Sequence, residues 1–220
     1  MIKTIIFDIG GVLVTDVWEP LFTDPVFGIS VKYNIPKDTA YEVGRKLWDE
    51  FSILSSNYSW ESMEKEYWKK ASNLLSIPND IYYFIELTEK LIKPVSGMEE
   101  LLKSLQNKTQ LAICSNNTEF WFQRQARKLD FFKYVPEKNI ILSNRVGDSK
   151  SSNSFSMFSK VEKIIGVERN KCLFIDDREK NIKSAVRYGF PAIHFPNNFD
   201  EGSVYLNLIF KMLGVYNYGF

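Results

Sequence analysis

The chain has 220 residues, 45% of them hydrophobic, and a formal net charge of +1. That length and composition suit one domain with a sizeable insertion, and the near-neutral balance offers no basic footprint for nucleic acid. No apolar run approaches a membrane span. The short N-terminal apolar run, broken by Asp8, Gly10 and Gly11, is unlike a signal peptide, so a soluble, cytoplasmic protein is expected.

The first apolar run, Ile5–Gly11 (IIFDIGG), reads as a strand buried on both faces that breaks into a polar turn at Asp8. From Asp16 to about Lys93 the character changes to Trp, Tyr, Glu and Lys, with helical periodicity over 40–51, 60–75 and 81–92 and punctuation at Pro36 and Pro78. This predicts an all-helical cap, residues 16–93, inserted into an α/β core made of 1–15 and 94–220. Trp48, Trp60, Tyr67, Trp68, Tyr82, Tyr83 and Phe84 recur there at helical spacing, which internal packing explains. From Pro94 onward helices (98–106, 118–129, 155–165, 179–188, 203–213) alternate with strands (110–114, 140–143, 171–175, 192–195). The alternation predicts a doubly wound parallel sheet, a Rossmann-like α/β core. Cys114 and Cys172 both fall in predicted buried strands and read as small reduced core residues.

A second apolar run, Leu173–Asn181 (LFIDDREKN), also ends in carboxylates. Such strands lie side by side in a parallel sheet, and the functional crevice of that sheet lies outside their carboxyl ends. Asp8, Asp176 and Asp177 are therefore expected to converge. Like charges at short range disfavour joint ionisation, and a hard divalent cation with oxygen ligands is the simplest compensation. Ser115 and Asn116 follow the next core strand, and Lys150 lies in the loop after the third. A carboxylate nucleophile, a hydroxyl–amide pair, a lysine and a metal-binding acid pair form a coherent phosphoryl-transfer set, in which an aspartyl-phosphate forms and is later hydrolysed.

At these residues the chain resembles the haloacid dehalogenase-like superfamily, in its helical-cap phosphatase branch. The four motifs appear in order as FDIGGVLV, ICSNN, SNRVGDSK and FIDDREKNIKSA, and the resemblance runs from Ile2 to about Phe195. It implies that Asp8 is the nucleophile and a direct Mg²⁺ ligand, that Asp177 is the second direct carboxylate ligand, and that Asp176 acts through water. It further implies Gly10 as a ligand through its backbone carbonyl, Ser115 and Asn116 as phosphate-binding groups, Lys150 as the charge-compensating cation and Asn181 as a loop support. The substrate implied is a small phosphorylated metabolite, such as a sugar phosphate.

The chain departs from that pattern at Gly10, where the branch usually carries an aspartate that protonates the leaving group and then activates water. The loss favours substrates with good leaving groups. Asp16 is a candidate substitute, the alternative being a solvated acid at the entrance of the insertion. Ser151 follows Lys150 where proline is usual, with Arg145 as a fallback cation, and His194 reads as core or rim packing. Hinges are expected at Thr15–Trp18 and Lys93–Val95, where the chain enters and leaves the cap. Ser115 and Asn116 have an alternative reading as helix caps, and Lys150 one as a solvated loop residue. Among functions, the rivals are a catalytically silent phosphate-binding or regulatory module and a 2-haloacid dehalogenase. The dehalogenase needs no metal, so the paired carboxylates would repel one another in its site. A phosphomutase would depend more heavily on the absent acid.

Overall fold

In the computed structural model, which describes residues 1–55, 59–195 and 202–215, five parallel strands form one sheet. They are β1 (Thr4–Phe7), β2 (Gln110–Ser115), β3 (Ile140–Leu142), β4 (Cys172–Asp176) and β5 (Ala192–His194), in the order β3-β2-β1-β4-β5. Every residue of β1 is buried, as a central parallel strand requires. Its register pairs Phe7 with Ile113 on one side and with Ile175 on the other. The residues that follow β1, β2 and β4 therefore emerge together at one end of the sheet.

Alternation along β1 sorts the molecule into layers. Ile6 faces a cluster with Phe174, Cys114 and the inner faces of α9 (Ser156–Ile165) and α10 (Glu179–Tyr188). Ile5 and Phe7 face the other way, toward α6 (Met98–Leu105), α7 (Glu119–Leu129) and α11 (Gly202–Met212). A short α8 (Ser143–Val146) leaves β3. Helices on both faces make the sheet doubly wound, as the alternation predicted.

Five helices stand between β1 and α6: α1 (Trp18–Thr23), α2 (Ile29–Lys32), α3 (Lys37–Phe51), α4 (Trp60–Leu75) and α5 (Ile81–Leu91). Their apolar residues, Leu47, Tyr67, Trp68 and Phe84 among them, belong to the same continuous cluster as Phe7 and Ile113. Most of the aromatics do pack internally, although Tyr82 is exposed. Segments on either side of the insertion are laced together. Thr15 N–H donates to Lys93 O at 2.9 Å, Lys93 N–H to Thr15 Oγ1 at 3.0 Å, and Val95 N–H to Leu13 O at 3.0 Å. The sequence pattern missed α1, α2 and α8, which have six residues or fewer and so hold too little of the 3.6-residue period to be seen. It also started α3 three residues late; Pro36 caps it at φ −53, a value proline imposes. Among the described residues, no helix is long and apolar enough to cross a membrane.

Candidate active site

Asp8, one residue past β1, takes its position from the sheet: its N–H donates to Ile175 O at 2.9 Å. Asp176 is the last residue of β4 and Asp177 the next. Carboxylate oxygens of all three lie within 4.8 Å of one another, and all three residues are buried. The predicted convergence is therefore present.

Lys150 sits among them with a fully buried side chain, its Nζ 2.7 Å from Asp8 Oδ2 and 2.5 Å from Asp176 Oδ2. It is not a solvated loop residue. Burial works against its charge, but the carboxylates of Asp176 and Asp8 outweigh that and hold its pKa above the ordinary lysine range. Asn116 anchors the Lys150 loop: its Oδ1 accepts the Lys150 N–H at 2.9 Å. Asp176 is saturated with donors, accepting from Arg178 N–H at 2.8 Å, from Asn181 Nδ2 at 2.9 Å and from Lys150. Asn181 thus fixes the loop, as expected of it.

Asp177 is different. Its Oδ2 is buried and has no hydrogen-bond partner. Arg178 Nε lies 3.2 Å away but without the alignment of a hydrogen bond. Burial pushes the Asp177 carboxyl up to about 8, with the charges of Asp8 and Asp176 adding to the shift. Burial likewise raises Asp176 to about 7, against the pull of Lys150. Four carboxylates, Asp8, Asp16, Asp176 and Asp177, face two cations, Lys150 and Arg178, so acids outnumber bases here, and a buried carboxylate oxygen without a hydrogen bond costs free energy. An oxygen-rich, acid-heavy pocket whose Asp177 Oδ2 accepts no hydrogen bond fits a hard divalent cation.

A cavity of about 290 Å³ opens over this cluster, lined on the core side by Asp8, Gly10, Asn116 and Asp177 and on the insertion side by Trp18 and Trp48. Ser115 and Lys150 lie behind this wall; Ser115 Oγ donates to Asn116 O at 3.3 Å. Neither Ser115 nor Asn116 caps the next helix, because Thr118 Oγ1 accepts the Trp121 N–H there. Arg145, the fallback cation, is turned away and pairs with Glu119 at 2.7 Å. His194 is exposed rather than core, with Nε2 2.9 Å from Asp177 O, so it props the acidic loop from the rim. Cys114 and Cys172 are free and buried. Sequence reasoning missed Arg178, which pairs with both Asp16 and Asp177. Its place directly after two acids was the available signal.

A parallel sheet of this order, with acids after two adjacent central strands and a buried lysine between them, is a doubly wound α/β core with its polar site at the carboxyl ends of the strands. The chain belongs to the haloacid dehalogenase-like hydrolase family, whose model matches residues 2–189. Among curated proteins none matches. Similar solved structures include a haloacid dehalogenase family enzyme from Bacteroides thetaiotaomicron in complex with magnesium and inorganic phosphate. It is 19% identical over 93% of this chain and 100% of that one, with a TM-score of 0.67. A haloacid dehalogenase family phosphatase from Thermococcus onnurineus is 21% identical over 97% and 98%, with a TM-score of 0.62. The L-2-haloacid dehalogenase from Xanthobacter autotrophicus is 16% identical over 95% and 83%, with a TM-score of 0.58.

Proposed function

We propose that this hydrolase is a Mg²⁺-dependent phosphatase that cleaves a small phosphorylated metabolite through an aspartyl-phosphate on Asp8. One observation carries the reading: the buried Asp177 Oδ2, which accepts no hydrogen bond, beside Asp8 and Asp176. A metal-free dehalogenase has no use for that oxygen, and its repulsion would go uncompensated. Asp8, Asp177 and the Gly10 carbonyl would hold the ion, with Asp176 behind them. When bound, the cation supplies positive charge for the transferring phosphoryl oxygens.

The remaining steps belong to the protein. Asp8 is braced by Lys150 and by the Ile9 N–H, which donates to its Oδ1 at 2.7 Å, so the carboxylate is aimed without reorganisation when it attacks phosphorus. Lys150 contributes the fixed charge behind the phosphoryl group. Asn116 binds the phosphate oxygens, and Ser115 shapes its loop from behind. Residues 16–93 act as the cap, closing the cavity and selecting the substrate. The limited volume favours a compact metabolite such as a sugar phosphate.

Release of p-nitrophenol from p-nitrophenyl phosphate, measured with and without Mg²⁺ beside an Asp8→Asn control, tests the reading. Mg²⁺-dependent release abolished by Asp8→Asn is expected. Equal background in both proteins would favour a silent phosphate-binding module, and metal-independent chloride release from 2-chloropropionate would favour the dehalogenase.

A further inference from the structure

We propose that Asp16 is the general base that activates water in the second half of this reaction, an inference that rests on the phosphatase reading. Hydrolysis of an acyl phosphate needs a proton acceptor for the attacking water. The obvious groups are spent: Asp8 is phosphorylated, Asp176 is fully buried against Lys150, Asp177 is a proposed metal ligand and Lys150 is buried behind the wall.

Asp16 occupies the right volume. A Cβ placed on Gly10 would meet Asp16 Oδ1 at 3.6 Å and Asp16 Cα at 3.9 Å, and no other residue within 4 Å. The space a side chain at position 10 would enter is therefore fronted by the Asp16 carboxylate. Gly10 has no left-handed backbone that would demand glycine, unlike Gly11 at φ 76. The carboxylate is held on both oxygens: Arg178 pairs with Oδ2, and the Val17 N–H donates to Oδ1 at 2.7 Å. Asp16 lines the cavity over Asp8 and also a second, more open cavity of about 900 Å³, which gives the carboxylate access to solvent. Asp49, another carboxylate on the first cavity, is exposed and paired with Arg45.

In the step itself, the water oxygen bonds to phosphorus while one of its protons passes to Asp16 Oδ1. The bond between phosphorus and the Asp8 oxygen breaks, and its electron pair returns to the Asp8 carboxylate. Inorganic phosphate leaves, and Asp16 gives the proton to solvent. In the first half the departing ester oxygen takes its proton from solvent, which is why good leaving groups are favoured.

The test is stopped-flow turnover of p-nitrophenyl phosphate with Mg²⁺. Asp16→Asn keeps the side chain's shape and removes its basicity. It is expected to leave the initial burst of about one p-nitrophenol per enzyme while slowing steady turnover about 100-fold, with phosphate accumulating on Asp8. Adding Gly10→Asp to Asp16→Asn supplies a carboxylate from the adjoining position and is expected to restore at least about tenfold. Burst and steady rate falling together, a steady rate within about threefold of wild type, or a double variant no faster than Asp16→Asn would each overturn the assignment. A wild-type protein with no Asp8-dependent turnover overturns the phosphatase reading as well, so the two failures are told apart.

Discussion

Lys150→Met removes a charge while nearly preserving volume, at a point where the consequences can be worked out. The Lys150 side chain is fully buried, 2.7 Å from one carboxylate and 2.5 Å from another. Removing it leaves Asp8 and Asp176 with no cation paired to them, because Arg178 pairs with Asp177 and Asp16. Breaking a buried ion pair from one side costs about 3–5 kcal/mol. For a chain of this size each kcal/mol is worth about 2–4 °C, so Tm in EDTA at pH 7.5 should fall by about 6–20 °C.

The pH dependence carries a sign. The carboxyls of Asp176 and Asp177, at about 7 and about 8, already lie above their unfolded value. Between the unfolded and folded values the native state holds protons that the unfolded state has released, so this contribution to stability falls as pH rises. Loss of Lys150 raises those carboxyls further and steepens the slope. The variant should therefore regain more stability than wild type on moving from pH 8 to pH 6. Thermal unfolding by circular dichroism reads both effects. A Tm loss below about 2 °C, equivalent to less than about 1 kcal/mol, or equal pH slopes in the two proteins, would refute the reasoning.

The same linkage predicts that saturating Mg²⁺ raises the wild-type Tm more at pH 8 than at pH 6, because binding at the lower pH must first displace protons from the carboxyls; equal shifts would sink the assignment of these acids as ligands. Arg124 of α7 reaches into the insertion, 2.6 Å from Glu64 and 2.9 Å from Glu89, with the Arg124 and Glu64 side chains only 8% and 3% exposed. Arg124→Met should cost about 3–5 kcal/mol in urea unfolding, and Glu64→Gln in that background should recover part of it. An unchanged midpoint in Arg124→Met would show the pair to be inert. Gly44→Ala should lower Tm although alanine is the better helix former. Its Cβ would stand 2.6 Å from the buried Phe22 ring, and overpacking costs about 1–3 kcal/mol; a higher Tm would contradict the tight approach of α3 to α1.

The core of the site was legible because it rests on a period and a topology. Doubly buried strands show as short unbroken apolar runs, and a doubly wound sheet gathers the residues that follow them, which sufficed to bring Asp8, Asp176 and Asp177 together. Lys150 was legible only as a loop lysine of the right rank in the order. Its full burial depends on Asn116 holding the backbone of that loop, a contact across 34 positions that no local pattern encodes. Arg178 and Asp16 meet across 162 positions, and neither has a periodic signature. Of the two readings of His194, core or rim, the rim is the one found, because β5 is an edge strand with a half-exposed face.

The joint between insertion and core bears on how the cavity selects. Trp48 of α3 stacks on Trp18 at 6.3 Å and on Trp121 of α7 at 5.4 Å, so the cavity wall is built from both halves. One turn further along α7, Arg124 is buried against Glu64. Opening the insertion as a rigid lid would separate Trp48 from Trp121, at about 0.5–1.5 kcal/mol for the stack, and would break an ion pair whose disruption costs about 3–5 kcal/mol. On the proposed phosphatase reading, choice of substrate falls to the side chains that both halves present to the cavity. On that reading, substitution of Trp48, which lines the cavity, should change which phosphate esters are turned over while leaving Asp8, Lys150 and Asp177 in place.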